Sequence, residues 1–143
     1  MAIQQISVFV GNQPGALAQT LRDLADGGVD LRALSIADTA DFGILRFIAD
    51  HNDRAVEILQ KNGMICTKTP VVAAYVPDQP GGLAKELTLL AEAGINVEYI
   101  YAFVTTGGKA ACVVLRVSNP DAAEAVLRRN NVRIATESEI YAL

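Results

Sequence analysis

Apolar and polar positions along the chain alternate between two periods. Short runs rich in β-branched residues, "ISVFV" (6–10) and "VVAAYV" (71–76), predict strands. Each is followed by a Pro-Gly loop, "NQPGALA" (12–18) and "DQPGGLA" (78–84). The period then becomes helical. Leu17, Leu21, Leu24 and Ala25, and again Leu83, Leu87, Leu90 and Ala91, keep the spacing of a helix with one buried face. Proline presets φ and can open such a helix without losing a needed donor, which suits Pro14 and Pro80. Gly28 and Gly94 close the helices, as glycines just past a C-terminus do. Second strands are expected over "VDLRALSIA" (29–37) and "INVEYIYAFV" (95–104), followed by the turns "DTAD" and "TTGG". Third strands are "GILRFIA" (43–49) and "AACVVLRV" (110–117). A second helix starts near Asp53, or after Asn119 with Pro120 at its first position, and runs to about Asn62 or Asn130.

The pattern is written twice because the chain is an internal duplication. At a shift of 66 residues, 12–34 falls on 78–100, and nine of these 23 positions are identical: Gln13, Pro14, Gly15, Leu17, Ala18, Leu21, Leu24, Ala25 and Gly28. Further on the shift is 68, with 43–59 on 111–127, and the two added residues fall in the turn "TTGGK". Each copy reads β-α-β-β-α-β. The expected class is α+β: two ferredoxin-like units in tandem, 1–69 and 70–143, with antiparallel sheets and helices on one face. The fourth strand is the open element. "VVAA" (71–74) aligns with "IYAL" (140–143), yet the former must also open the second copy. One strand exchanged between the units is a reading the residues leave open.

Composition narrows the function classes. The 143 residues are 51% hydrophobic and carry a net charge of −4. Residues 1–70 and 71–143 each hold 6 basic and 8 acidic side chains. Neither half offers a basic patch, so nucleic acid and anionic membranes are not expected partners. With no Trp and 6% aromatics there is little to stack on bases. "MAIQQISVFV" shows no basic n-region, no signal peptide is expected, and no apolar run is of membrane-spanning length. Cys66 and Cys112 form no disulfide framework and fit no metal-ligand spacing; buried packing is their expected role. The default is a cytoplasmic protein without cofactor or metal. His51 is the only histidine, expected as a solvated residue at a helix start, and no catalytic cluster surrounds it. Tyr99 reads as packing, Arg128 and Arg129 as dipole-complementing charges at a helix end, and Asp121 with Glu124 as a solvated face.

The repeated loop carries the candidate chemistry. Gly15, and Gly81 with Gly82, clear side chains from a place where a ligand or backbone can approach. The first N–H groups of the helix behind it suit a carboxylate or phosphate. Asp30 and Asn96, at the start of the second strands, can accept from an ammonium. Together these groups suit an α-amino acid; an ordinary loop and ordinary strand-start polar residues explain them equally on physical grounds.

The order strand, N/D-x-P-G-x-L-A, helix, "GVDL" or "GINV", strand, turn, strand, helix resembles the ACT domain, a regulatory module of amino-acid biosynthetic enzymes. The resemblance covers nearly the whole chain as two copies. It is similar to the regulatory region of aspartate kinases, without a catalytic domain, so no enzyme activity is expected. The resemblance implies that modules pair, here as a homodimer, and bind an amino acid at their interface. It assigns the ligand to Asn12, Gln13, Gly15, Ala16 and Leu17, or Asp78, Gln79, Gly81, Gly82 and Leu83. To these it adds Val29 and Asp30, or Ile95 and Asn96, from the second strand, with Ser35 or Tyr101 five residues beyond. An enzyme of the open-faced ferredoxin-like kind would need convergent His, Glu, Lys or metal ligands. An interaction module without a small ligand, docking on a biosynthetic enzyme, is the alternative.

Overall fold

The computed structural model describes residues 3–38, 41–104 and 111–143. The period-two runs form strands and the helical stripes form helices. The order is β1 (Ile3–Gly11), α1 (Ala16–Asp26), β2 (Leu31–Asp38), β3 (Phe42–Ala49), α2 (Asn52–Lys61), β4 (Cys66–Val76), α3 (Gly82–Glu92), β5 (Val97–Ala102), β6 (Ala111–Val117), α4 (Pro120–Arg129) and α5 (Glu137–Tyr141). Gln4–Thr69 make one compact unit, and Pro70–Leu143 a second to which Ile3 also belongs.

In the first unit β1 and β2 both pair antiparallel with β3, with Ile6 opposite Phe47 and Ser35 opposite Arg46. Alternate residues on these strands share one face. Ile6, Val8 and Val10 therefore meet Leu45 and Phe47 there, and Leu24 of α1 and Leu59 of α2 cover them. The second unit repeats this. β4 and β5 flank β6, and Val72, Ala74 and Val76 join Leu115 and Val117 under Leu90 of α3 and Leu127 of α4. Burying each such leucine contributes about 1.5–3 kcal/mol.

All four long helices end in the same way. The N–H of Val29 donates to the carbonyl of Leu24 and that of Gly28 to Ala25, a 6→1 and 5→2 pair repeated at Gly63, Gly94 and Asn131. Gly28 and Gly94 have φ of 78° and 73°, a left-handed backbone that glycine takes most readily and that Asn131, at φ 64°, takes at the end of α4.

Three expectations are corrected. Pro14 and Pro80 do not open their helices: α1 and α3 begin at Ala16 and Gly82, behind the left-handed N-caps Gly15 (φ 86°) and Gly81 (φ 82°). Pro120 does hold the first position of α4, where the Asn119 side chain accepts from the Ala122 N–H. The second strands start at Leu31 and Val97 rather than at 29 and 95, because Val29 and Ile95 complete the helix ends.

The third correction concerns the fourth strand. "IYAL" is not a strand; Ile140 and Tyr141 lie in α5, started by a Thr136–Glu139 capping box. The counterpart of the first unit's segment lies earlier. Phe9 N–H donates to Ile65 O, and at shifts of 66 and 68 Tyr75 N–H donates to Arg133 O. Ile134 then bridges Ala74, and the segment ends after that bridge. The β-α-β-β-α-β order is thus present in both units, with the last strand of the second cut to one bridge. The turn "TTGGK" and part of "DTAD" lie outside the described residues.

Candidate functional site

The two Pro-Gly loops have nearly the same backbone. In each, the N–H of the first helical residue, Ala16 or Gly82, donates to the carbonyl of Gln13 or Gln79, 3.2 and 3.1 Å away. The N-cap is glycine and no side chain caps α1 or α3, in contrast to α4 and α5. The helix starts keep N–H groups without a side-chain acceptor, the condition for holding an anion. Gly82 plays a different part from the one its sequence suggests. It is buried, and a Cβ there would lie 2.3 Å from the Pro77 carbonyl oxygen. It permits a close backbone approach rather than leaving space for a ligand.

The second-strand starts differ between copies. In both, the backbone N–H is held by a side chain across the sheet: Asp30 by Asp50 at 2.9 Å and Asn96 by Ser118 at 3.3 Å. The Asp30 carboxylate accepts from Arg32 at 2.5 Å, and the Arg32 side chain is only 10% exposed. The second copy has Glu98 at the position of Arg32, and Glu98 pairs with Arg116 instead, at 3.3 Å. The Asn96 side-chain amide is left without a partner among the described residues. Val29 and Ile95 are core residues at 6% and 8% exposure, so only their backbone can face a ligand. Ser35 is half-buried on β2, and Tyr101 is buried and stacked on Tyr99 with ring centroids 6.5 Å apart.

Among the described residues each unit holds a cavity beside its Pro-Gly loop. The first, about 280 Å³, brings Asn12, Gln13 and Leu17 together with Ile36, Asp38 and Gly43, and Asn12 donates to Asp38 at 3.1 Å. The second, about 690 Å³, brings Gln79, Gly81 and Gly82 together with Lys85, Glu86 and Leu89 of α3 and with Asn130–Arg133 beyond α4. Gly15, Ala16, Val29, Asp30 and Ser35 do not line the first, nor Asp78, Leu83, Ile95, Asn96 and Tyr101 the second.

Glu86 is a residue the loop pattern does not point to. It is 3% exposed, its Oε1 has no hydrogen-bond partner, and burial pushes its carboxyl up to about 7. A charge three residues beyond Leu83 on an otherwise apolar stripe is the signal that could have found it. At the same position of the first unit stands Thr20, whose hydroxyl donates to Ala16 O at 3.1 Å. Near the second cavity, Arg133 donates to Glu139 at 2.5 Å and lies 4.5 Å from the centre of the Tyr75 ring, while the Tyr75 hydroxyl donates to the same carboxylate.

Cys112 is buried, and burial together with the charges of Glu139 and Glu86 pushes its thiol up to about 12, so it is a packed thiol rather than a nucleophile. His51 is exposed and precedes α2 without capping it by its side chain. Among the described residues no group of His, Cys, Asp and Glu is placed to hold a metal, and no helix is long and apolar enough to cross a membrane.

Comparison with known proteins agrees with this architecture. A family model described as an ACT domain pair matches residues 1–143. The solved structure of a protein from Bacteroides thetaiotaomicron is similar at 38% identity and a TM-score of 0.92, over 100% of this chain and 98% of that one. The regulatory subunit of aspartate kinase from Thermus thermophilus is similar at 21% identity and a TM-score of 0.69, over 92% of each chain. The corresponding subunit from Thermus flavus is similar at 20% identity and 0.63, over 90% of each. At these identities the two Thermus subunits share the fold. No curated protein matches. With two β-α-β-β-α-β units, the repeated Pro-Gly helix start and a family match over every residue, the chain belongs to the ACT domain family as an ACT domain pair.

Proposed function

We propose that this ACT domain pair is a regulatory sensor of a free amino acid, serving a biosynthetic enzyme from the cytoplasm as a homodimer. The observation that carries this reading is the Asn96 amide, without a partner among the described residues, in a unit whose Pro-Gly loop leads into a helix start with no side-chain cap. The helix start suits the ligand carboxylate and Asn96 its ammonium. The site takes its loop from one ACT unit and its second-strand start from another, at an interface between units. The Thermus neighbours are regulatory subunits of aspartate kinase, which supports a regulatory role and a partner enzyme. The alternative, a docking module without a small ligand, is favoured by Phe9, Ile36 and Phe42, apolar side chains that remain 47%, 50% and 41% exposed.

A melting-temperature screen against the twenty amino acids tests the proposal. A ligand that binds only the folded state adds about 2.7 kcal/mol at 100 times Kd. At least one amino acid should raise the melting temperature, and Asn96→Ala should reduce that shift. No response to any amino acid would sink the sensor reading and leave the docking module.

A further inference from the structure

We propose that the second unit contains, within itself, a pocket for a small organic ammonium ion on an apolar stem, with the Glu86 carboxylate as the acceptor at its inner end. The apolar part of the lining of the cavity, of about 690 Å³, comes from Val76, Pro77, Leu89 and Val132. Glu86 lines it and is nearly sealed from bulk solvent, with Oε1 unpartnered. A buried carboxylate without a partner is costly, and a cation is the partner that relieves the cost most. The fold does not require the group: the first unit builds the same helix with Thr20 there, satisfied by its own backbone.

The charged groups around Glu86 do not already serve it. Lys85 precedes Glu86 by one position on α3, is exposed, and lines the same cavity without pairing with the Glu86 carboxylate. Arg133 is taken by Glu139 of α5 and by the Tyr75 ring of β4. Cys112 of β6 feels the Glu86 charge but stays protonated. The pocket shares Gln79, Gly81 and Gly82 with the loop half of the sensor site and goes beyond that reading in its acceptor, because neither Asp30 nor Asn96 lines it.

The test is an NMR titration of the full chain with n-butylammonium, with butyrate and n-butanol as controls. Only the ammonium should shift the amides of Gly81, Gly82, Lys85 and Asn131. Because Glu86 ionises near 7, its affinity should rise about tenfold between about pH 6 and about pH 8. Glu86→Gln should abolish the binding and its pH dependence, and Glu86→Thr, the residue of the first copy, should do the same in a side chain this position is built to accept. Asn96→Ala should leave n-butylammonium binding unchanged, which separates this pocket from the amino-acid site. Absence of shifts at about pH 8, equal shifts with n-butanol, or undiminished binding by Glu86→Gln would overturn the proposal.

Discussion

Glu86 stands on the buried side of α3, among Leu83, Leu87 and Leu90, and its ionisation should be visible in stability. The folded chain holds this proton up to about 7, whereas the ordinary carboxyl value is 4.5. Across that window the folded state binds more protons than the unfolded one, so this group's effect is to lower stability as pH rises. Its full cost, reached above about 7, is on the order of 3 kcal/mol. Glu86→Gln keeps the shape and removes the charge. Urea denaturation should show little change from the substitution near pH 5 and a gain approaching that cost near pH 8. An equal effect at both values would mean that the carboxylate reaches water when ionised. The residue scale is also where sequence reading had least purchase. Asp30 and Asn96 look interchangeable in the alignment, yet Arg32 engages the first and Glu98, at the matching position, leaves the second free. Whether a polar side chain is already engaged depends on neighbours two residues along and across the sheet, which the repeat does not preserve.

At the scale of elements, apolar period and glycine position made most of the fold legible. Leu17–Ala25 and Leu83–Ala91 are helical, and Gly28 and Gly94 end their helices, because one stripe of leucines and one left-handed residue suffice to specify them. The loop between strand and helix was less legible, since Pro and Gly each serve several geometries. Gly81 and Gly82 are adjacent and look alike, but the first supplies a left-handed N-cap and the second lets the Pro77 carbonyl come close. The first copy has Ala16 at the second of these positions, with Gly11 in place of Pro77. Gly82→Ala should therefore destabilise the second unit by about 1–3 kcal/mol, as overpacking does, measured as a lowered denaturation midpoint. A neutral result would mean the loop shifts freely, and the narrow backbone approach would not be what fixes glycine there. The fourth strand was misplaced for a related reason: "IYAL" has strand-like residues, but Thr136 and Glu139 form a capping box that turns the segment into α5.

Over the whole molecule, duplication copied the frame more faithfully than the chemistry. The β-α-β-β-α-β order, the helix ends and the Pro-Gly backbone recur, while the polar groups near the loops diverge at Asp30 and Asn96, at Arg32 and Glu98, and at Thr20 and Glu86. Equivalent units with unequal side chains should bind unequally. In the first copy an arriving ammonium must compete with the nearly buried Arg32 for Asp30, and must break that ion pair to bind. In the second copy the amide is available without such a cost. Calorimetric titration with an amino acid found in the thermal screen should accordingly give one strong site per chain. Asn96→Ala should weaken it, and Asp30→Asn should leave it nearly unchanged. Two equal sites per chain, or a strong site lost with Asp30→Asn instead, would show that the Asp30–Arg32 pair opens readily and that the first copy binds as well as the second.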